Sequence, residues 1–226
     1  MEQINLIIAA MDEEVQALLN HLDDYQNISL DDDIGYRFSL KNETYILIKG
    51  YIGKSNTAFL LGKLSKILNI KRVFNIGTSG GVNKSLKIND VVIATKVAYY
   101  DVDVTFFNYK KGQIPGFPLF FDCDVDFFKN KTLSNKFSIK EGIILSGDYF
   151  VTKENISSLG IDTSSCLCVE MEAAAVGHIC HRLNIPFVII RSLSDLVFKS
   201  IDLENHDNDI ETSSTNAALV LLDLIK

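Results

Sequence analysis

The chain has 226 residues, with 22 basic and 29 acidic side chains and a formal net charge of −7. This length suits one globular domain over residues 1–226, and 47% apolar with 23% charged residues excludes a disordered, collagen-like or coiled-coil chain. The acidic balance and the scarcity of arginine, which occurs four times, predict no nucleic-acid partner.

Strands and helices alternate along the chain. Continuous apolar, β-branched runs such as 3–10 are typical of strands buried on both faces, whereas 11–19 has helical spacing. The pattern predicts an α/β fold, a three-layer sandwich with a mixed, mostly parallel central sheet flanked by helices. The predicted strands are 3–10, 45–49, 72–76, 90–97, 142–145, 166–169 and 186–190, and the predicted helices are 11–19, 54–68, 172–183 and 209–225.

Export and membrane insertion are not indicated. The chain begins Met-Glu-Gln-Ile without a basic region, and the apolar run at 6–11 is too short for a signal peptide or a membrane span. Cys123, Cys166, Cys168 and Cys180 show no regular framework. We therefore expect free thiols, a cytoplasmic location and no membrane partner.

The first candidate site residue is Glu14, just after the first predicted strand. Ligands of α/β sheets bind beyond the carboxyl ends of the strands. Glu14 falls in the first turn of the predicted helix with Asp12 as its N-cap, and the helix dipole there favours an ionised carboxylate that can accept a proton. Capping and dipole compensation without catalysis is the alternative interpretation.

A glycine-rich segment, 77–81, follows the third predicted strand. Glycines let backbone N–H groups approach a ligand, and Thr78 adds a hydroxyl, but the segment has neither a Walker-type Gly-Lys-Ser/Thr nor a dinucleotide fingerprint. A tight turn without a ligand explains it equally well.

Acidic residues mark two further strand ends. Glu170 and Glu172 alternate on one side of an apolar strand, where two acids are costly unless they are used or paired. Asp195 ends the run beginning at Phe187, and a carboxyl group in an apolar pocket has a raised pKa and can act as a general acid. The alternative for Asp195 is a structural salt bridge with Arg191.

The segment 99–121 is rich in aromatic residues and carries two of the three prolines. Its composition favours a pocket wall combined with a subunit interface over membrane docking. His178 and His181 lie three residues apart on a predicted helix, but no complementary ligand pair accompanies them, so we expect no metal site.

Together, seven segments resemble the 5′-methylthioadenosine/S-adenosylhomocysteine nucleosidases. The match runs in order through nearly the whole chain. The segments are IAAMDEEVQALL at 8–19, IGK at 52–54, NIGTSGGV at 75–82, DVDVTFFNYKKGQIPGFP at 101–118, SGDYFV at 146–151, VEMEAAA at 169–175 and IRSLSD at 190–195.

The resemblance implies a nucleoside phosphorylase-like fold, an adenine nucleoside as substrate and hydrolysis of its N-glycosidic bond without cofactor or metal. Asp195 would protonate adenine N7, Glu14 would activate water, and Glu172 would bind the ribose hydroxyls. Breaking this bond builds positive charge on the sugar and negative charge on the purine. Carboxylates can stabilise the first charge, and a carboxylic acid can neutralise the second by donating a proton. The implied binding residues are Met11, Ile52, Thr78, Phe150, Val151, Met171, Arg191 and Ser194.

The family is also homodimeric, which implies active sites shared between subunits. Phe107 and Pro115 would then reach into the partner's site beside the 5′ tail. Two features depart from the family pattern. Tyr149 is bulky in the Gly-Asp-x-Phe turn, and the region after Asp195 lacks the later aromatic. Either Phe198 substitutes for this aromatic or the pocket is more open.

Two other functions fit the same residues. A phosphate-dependent purine nucleoside phosphorylase is disfavoured by Glu14 in the segment that would meet phosphate and by the scarcity of arginine. A non-catalytic nucleoside-binding protein is disfavoured because Glu14, Glu172 and Asp195 are all present.

Overall fold

The computed structural model describes residues 2–129, 131–162, 164–199 and 206–226. Ten strands form one mixed sheet in the order β10-β6-β8-β9-β5-β1-β4-β3-β2, with β7 paired to β6 and β10 also paired to β5. The strands are β1 Gln3–Ala9, β2 Gln26–Leu30, β3 Asp33–Leu40, β4 Glu43–Lys49, β5 Asn69–Gly81, β6 Val91–Tyr99, β7 Phe121–Asp122, β8 Ile139–Ser146, β9 Cys168–Glu170 and β10 Phe187–Leu196.

Helices cover both faces of the sheet, which confirms the predicted three-layer fold. On one face α1 and α5 contribute Leu18 and Leu221 to an apolar cluster, and on the other α2 and α4 contribute Leu61 and Val176 to a second. The helices are α1 Asp12–Leu19, α2 Lys54–Leu64, α3 Val125–Lys129, α4 Ala173–Leu183 and α5 His206–Ile225, with a 3-10 turn at Thr105–Phe107. None of the helices in the described part of the chain is long and apolar enough to cross a membrane.

One group of four neighbouring parallel strands lies where the sheet is most buried. β4, β1, β5 and β10 run parallel, and their paired residues are apolar, as at Ile7 opposite Leu47 and Phe74. Side chains on both faces of these strands are removed from water, which explains why they read as continuous apolar runs. The carboxyl ends of β1, β5 and β10 therefore meet at one edge.

The glycine-rich segment corrects one expectation. Residues 77–81 continue β5 instead of forming a turn, because they pair with β10 on one side and, at Gly80 and Gly81, with β9 on the other. Ladder hydrogen bonds on both sides outweigh the local preference of glycine for turns. Thr78 therefore lies within strand β5, close to the carboxyl ends of the neighbouring strands.

The hairpin β2–β3 and helix α3 were not predicted from the sequence, and α2 ends at Leu64 rather than at residue 68. Asp12 is the first residue of α1 and Met11 is its N-cap, so the predicted cap is displaced by one residue. All four cysteines are buried and free.

Candidate active site

Most of the predicted site residues surround one cavity at the carboxyl edge of the sheet. The cavity has a volume of about 180 Å³. Its walls come from the ends of β1, β5, β9 and β10 and from two loops, which explains why residues distant in sequence meet there. Predicted residues in its lining are Met11, Glu14, Ile52, Thr78, Phe150, Val151, Met171, Glu172, Ser194 and Asp195.

Glu14 is fully buried and held by backbone donors. Its Oε2 accepts the N–H of Ala10 at 2.8 Å and of Met11 at 3.2 Å, while Oε1 accepts the N–H of Thr78 at 2.8 Å. Burial raises the pKa of Glu14, and Arg191 and these N–H groups oppose the rise. A fixed carboxylate with a raised pKa is suited to take a proton from water.

Arg191 lies behind the cavity among three acids. Its side chain is 1% exposed, and Nη2 lies 2.5 Å from Glu170 Oε2 and 3.3 Å from Glu172 Oε2. The same nitrogen donates to Asn75 Oδ1 at 2.6 Å. We call Glu14, Asn75, Glu170, Glu172 and Arg191 the buried cluster.

Glu172 connects the buried cluster to the cavity. Its Oε1 accepts the N–H of Gly53 at 2.8 Å. Burial and the neighbouring Glu170 carboxylate raise the pKa of Glu172 to about 8, against the opposing effect of Arg191. Glu172 therefore binds its proton more tightly than an exposed glutamate does, and donors such as ribose hydroxyls favour its ionised form.

Gly77 separates Glu14 from Arg191. A Cβ at this position would clash with Arg191 Nη1 and with the Glu14 carboxylate. The close approach of these two charged groups thus requires glycine here. From the sequence, this glycine was predicted to belong to a glycine-rich segment that either approaches a ligand or forms a tight turn, and its position between two charged side chains was not predicted.

Asp195 lies apart from the buried cluster on the cavity wall. Ser194 Oγ donates to its Oδ1 at 3.0 Å, and a Cβ on Gly80 would lie 3.0 Å from its Oδ2. Among the described residues, Arg191 forms its ion pairs with Glu170 and Glu172. The alternative salt bridge between Arg191 and Asp195 is therefore wrong, and Asp195 faces the cavity instead.

A loop with two aromatic residues forms the outer wall. Phe150 is 56% exposed while Val151 beside it is buried. Tyr100 Oη donates to the carbonyl of Tyr149 at 2.6 Å, and Asn155 Nδ2 donates to the carbonyl of Phe150 at 2.8 Å. These bonds hold the loop with its aromatic side chains at the cavity mouth.

Phe107 and Pro115 are not brought to the cavity of their own chain. Both are exposed, and Phe106 beside Phe107 is 90% exposed. Phe106 and Phe107 pack edge to face on each other in the 3-10 turn, with centroids 5.1 Å apart. Exposure of two adjacent phenylalanines is typical of an interaction surface.

The wall after Asp195 differs from the sequence expectation. Phe198 packs with the cluster that contains Val82 and Val151. Ile210, near the start of α5, lines the cavity instead. Sequence reasoning missed it, since no sequence pattern placed the start of α5 over this cavity. Part of the segment in question, 200–205, lies outside the described residues.

Within the described part of the chain, no group of three His, Cys, Asp or Glu side chains is arranged so that it could hold a metal ion. Packing explains the position of His178. Its ring stacks on Phe121 with centroids 5.1 Å apart, and its Nδ1 lies 3.2 Å from Tyr99 Oη.

Comparison with known proteins gives matches along nearly the whole chain. Residues 6–226 match the model of the phosphorylase superfamily. The chain is 35% identical to the 5′-methylthioadenosine/S-adenosylhomocysteine nucleosidase of Halalkalibacterium halodurans, over 97% of this chain and 96% of that protein.

Solved structures agree with this match. The nucleosidase of Colwellia psychrerythraea 34H, in complex with adenine, superposes with a TM-score of 0.89 at 30% identity, covering 100% of this chain and 95% of that one. The S. pneumoniae nucleosidase, with the transition-state inhibitor MT-ImmA, has a TM-score of 0.88 at 31% identity and covers 99% and 98%.

Proposed function

The chain belongs to the phosphorylase superfamily and, within it, to the 5′-methylthioadenosine/S-adenosylhomocysteine nucleosidases, and from this membership we propose how its residues perform the reaction. The enzyme hydrolyses the N-glycosidic bond of 5′-methylthioadenosine and S-adenosylhomocysteine, releasing adenine and the 5-thio-substituted ribose. The observation that carries the assignment of roles is that Glu14, Glu172 and Asp195 line one cavity.

We propose Asp195 as the general acid. Cleavage of the bond between C1′ and N9 leaves the bonding electrons, and therefore negative charge, on the purine. Protonation at N7 neutralises this charge. The aromatic ring of Phe150 stacks on the adenine, and the backbone of Val151 reads its edge. Ser194, which donates to Asp195 Oδ1, fixes the direction of the carboxyl group.

Glu14 and Glu172 act on the sugar side. Glu14, fixed by three backbone N–H groups, removes a proton from the attacking water, and Thr78 helps to place that water. Glu172 accepts hydrogen bonds from the ribose hydroxyls while Met171 packs against the sugar. Two negative side chains near C1′ stabilise the positive charge that the sugar acquires.

Hydrolysis is favoured over phosphorolysis by the state of Arg191. A phosphate dianion needs a free cation, preferably a bidentate guanidinium. Arg191 is engaged by Glu170 and Glu172 and lies close to Glu14, so the surrounding charge is negative and repels phosphate. Water carries no such penalty.

We infer that the active form is a homodimer with shared sites. Met11 and Ile52 line the cavity, and Ile52 is half exposed. Phe107 and Pro115 from the second copy would cover the cavity beside the 5′ tail of the substrate. Their exposure supports the arrangement, because burial of one phenylalanine is worth about 1.5–3 kcal/mol.

We further propose that residues 1–226 form a single nucleosidase domain located in the cytoplasm. The family match extends over residues 6–226, and four buried free cysteines suit a reducing compartment. The acidic net charge of −7 supports the absence of nucleic-acid partners.

An adenine-release assay tests the proposal. The purified chain is incubated with 5′-methylthioadenosine, S-adenosylhomocysteine, adenosine and inosine, each with and without phosphate. We expect adenine release from the thio-substituted nucleosides at the same rate with and without phosphate. An absolute requirement for phosphate would identify a phosphorylase, and stable binding without adenine release would identify a binding protein.

A further inference from the structure

Glu170 is a buried acid that the proposed reaction does not use. Its side chain is 3% exposed, and none of the steps assigned above passes through it. Burial of a carboxylate costs several kcal/mol unless it is paired and hydrogen-bonded. Its partners therefore indicate what it does.

Both carboxylate oxygens of Glu170 are engaged. Oε2 accepts the N–H of Glu172 at 3.0 Å, the N–H of Ala173 at 2.8 Å and Arg191 Nη2 at 2.5 Å. Oε1 accepts the hydroxyl of Ser146, whose Oγ in turn accepts the N–H of Ala174 at 2.7 Å. The first turn of α4 and the guanidinium of Arg191 are thus attached to one side chain.

Arg191 forms ion pairs with two acids, Glu170 and Glu172, at different distances. Its Nη2 is 2.5 Å from Glu170 but 3.3 Å from Glu172. Coulomb attraction and hydrogen-bond strength both fall with distance, so Glu170 takes the larger share of the guanidinium. Among the described residues, the one hydrogen bond to Glu172 Oε1 comes from the N–H of Gly53.

We propose that Glu170 is a positioning residue for the reaction: its charge holds the guanidinium of Arg191 closer to itself than to Glu172, which leaves the Glu172 carboxylate more available to the ribose hydroxyls. This inference rests on the proposed function, in which Glu172 binds the sugar. Glu170 borders the cavity, but both of its carboxylate oxygens are already engaged by protein donors. It acts through Arg191 and through the N–H groups that orient the start of α4.

The inference predicts how the ionisation of Glu172 responds to Glu170. The charged and titratable groups that face Glu172 are Glu170, Arg191 and Glu14, and Asp195 lines the same cavity. The Glu170 charge raises the pKa of Glu172, whereas Arg191 lowers it. Removing the charge of Glu170 both ends the repulsion and frees Arg191 to approach Glu172, so both effects lower the pKa.

The experiment compares the unaltered chain with Glu170→Gln. The glutamine keeps an acceptor for Arg191 and the two N–H groups, and the Ser146 hydroxyl can rotate to accept from the amide, so the substitution isolates the charge. Binding of two ligands is measured from pH 5 to 9 by calorimetry. One is a non-hydrolysable 5′-methylthio nucleoside with a carbon–carbon glycosidic bond, and the other is adenine, which lacks the ribose.

In the unaltered chain we expect nucleoside affinity, relative to adenine, to rise with pH through about 8, where Glu172 ionises. The pH at which half of this rise is complete is the midpoint. In Glu170→Gln the midpoint moves down by about one pH unit or more. Nucleoside affinity at high pH falls about 10-fold because Arg191 competes for Glu172. Adenine affinity stays unchanged. An unmoved midpoint, or an equal loss of both ligands, would overturn the inference.

Ser146→Ala is the matched control. It removes a hydrogen bond to the same carboxylate but leaves its charge, so the midpoint should stay at the value of the unaltered chain. A shift as large as that of Glu170→Gln would show that packing, not charge, sets the midpoint, and would contradict the inference. If Glu170→Gln does not fold, Glu170→Asp replaces it. The shorter side chain moves the carboxylate away from Arg191, so the midpoint must shift in the same direction by a smaller amount. An unmoved midpoint in Glu170→Asp would again overturn the inference.

The outcome also separates this inference from the proposed function. If the unaltered chain releases no adenine from 5′-methylthioadenosine, the proposed function fails. If it releases adenine while the midpoint of Glu170→Gln does not move, only the role of Glu170 fails.

Discussion

The buried cluster and the aromatic segment at 99–121 differ in how far the contacts of a single chain bury and pair their side chains. In the buried cluster, Arg191 is 1% exposed and its charge is met by Glu170 and Glu172. In the aromatic segment, Phe106 is 90% and Phe107 67% exposed. A single chain thus completes the charged part of the site but leaves an apolar part open to water.

The difference has a physical reason. Charges that lack partners are costly inside a protein, so the groups that handle charge must be organised within the folded chain. Apolar surface is tolerated in water and gains stability when a second surface covers it. We infer that chemistry belongs to each chain and that substrate enclosure belongs to the dimer.

Asp195→Asn breaks the chemical half of this comparison and has the largest expected effect. The amide cannot supply the proton, so kcat should fall about 10²–10⁴-fold while nucleoside binding persists. Adenine release measures the first quantity and calorimetry the second. Near-normal turnover would remove Asp195 from the role of the acid.

Gly77→Ala tests whether the spacing inside the buried cluster matters. The new Cβ would clash with Arg191 and Glu14, and a displacement of about 1 Å can cost about 10²-fold in rate. Gly62→Ala is the matched control, because no atom lies within 4 Å of its added Cβ and it sits in helix α2. It should keep full activity and a slightly raised Tm. Equal activity of the two variants would contradict the spacing argument.

Phe107→Ala breaks the apolar half instead. We expect KM for 5′-methylthioadenosine to rise about 10-fold, in line with the loss of one buried phenylalanine, with a smaller change in kcat. Sedimentation should show a weaker dimer. A fully active monomer would contradict the shared site.

The pH dependence of stability affects no catalytic step directly and sharpens the charge argument. The folded-state pKa of Glu172 is raised to about 8 from 4.5, so its contribution to stability is complete below about pH 4.5 and is lost as pH rises through about 8. Each kcal/mol lost lowers Tm by about 2–4 °C. Glu172→Gln should flatten this decline, and an equally steep decline in the variant would assign it to another group.

The sequence predicted the strongly apolar elements and ten of the residues that line the cavity. β1 and α1 were recognisable because Ile7 and Leu18 belong to long buried patterns. The β2–β3 hairpin was missed because it lies at the sheet edge, where exposed polar residues such as Arg37 interrupt the alternation. Pairing with distant strands kept residues 77–81 in β5, and local glycine content could not reveal that.

The role of Glu170 shows the same limit. Its position in an apolar strand signalled that it must be paired or used, but its partners Ser146 and Arg191 come from other strands of the sheet. Spacing along the chain instead suggested Asp195 as the partner of Arg191. Only the three-dimensional arrangement separates the charge that positions Arg191 from the acid that faces the substrate.

Mixing the two defective variants tests the division between chain and dimer most directly. Phe107→Ala retains Asp195, and Asp195→Asn retains Phe107, so a mixed dimer contains one site in which both residues are intact. After dissociation and reassociation, adenine release at low substrate concentration should rise several-fold above that of the same amount of Phe107→Ala alone. Activity equal to that of Phe107→Ala alone would contradict the account.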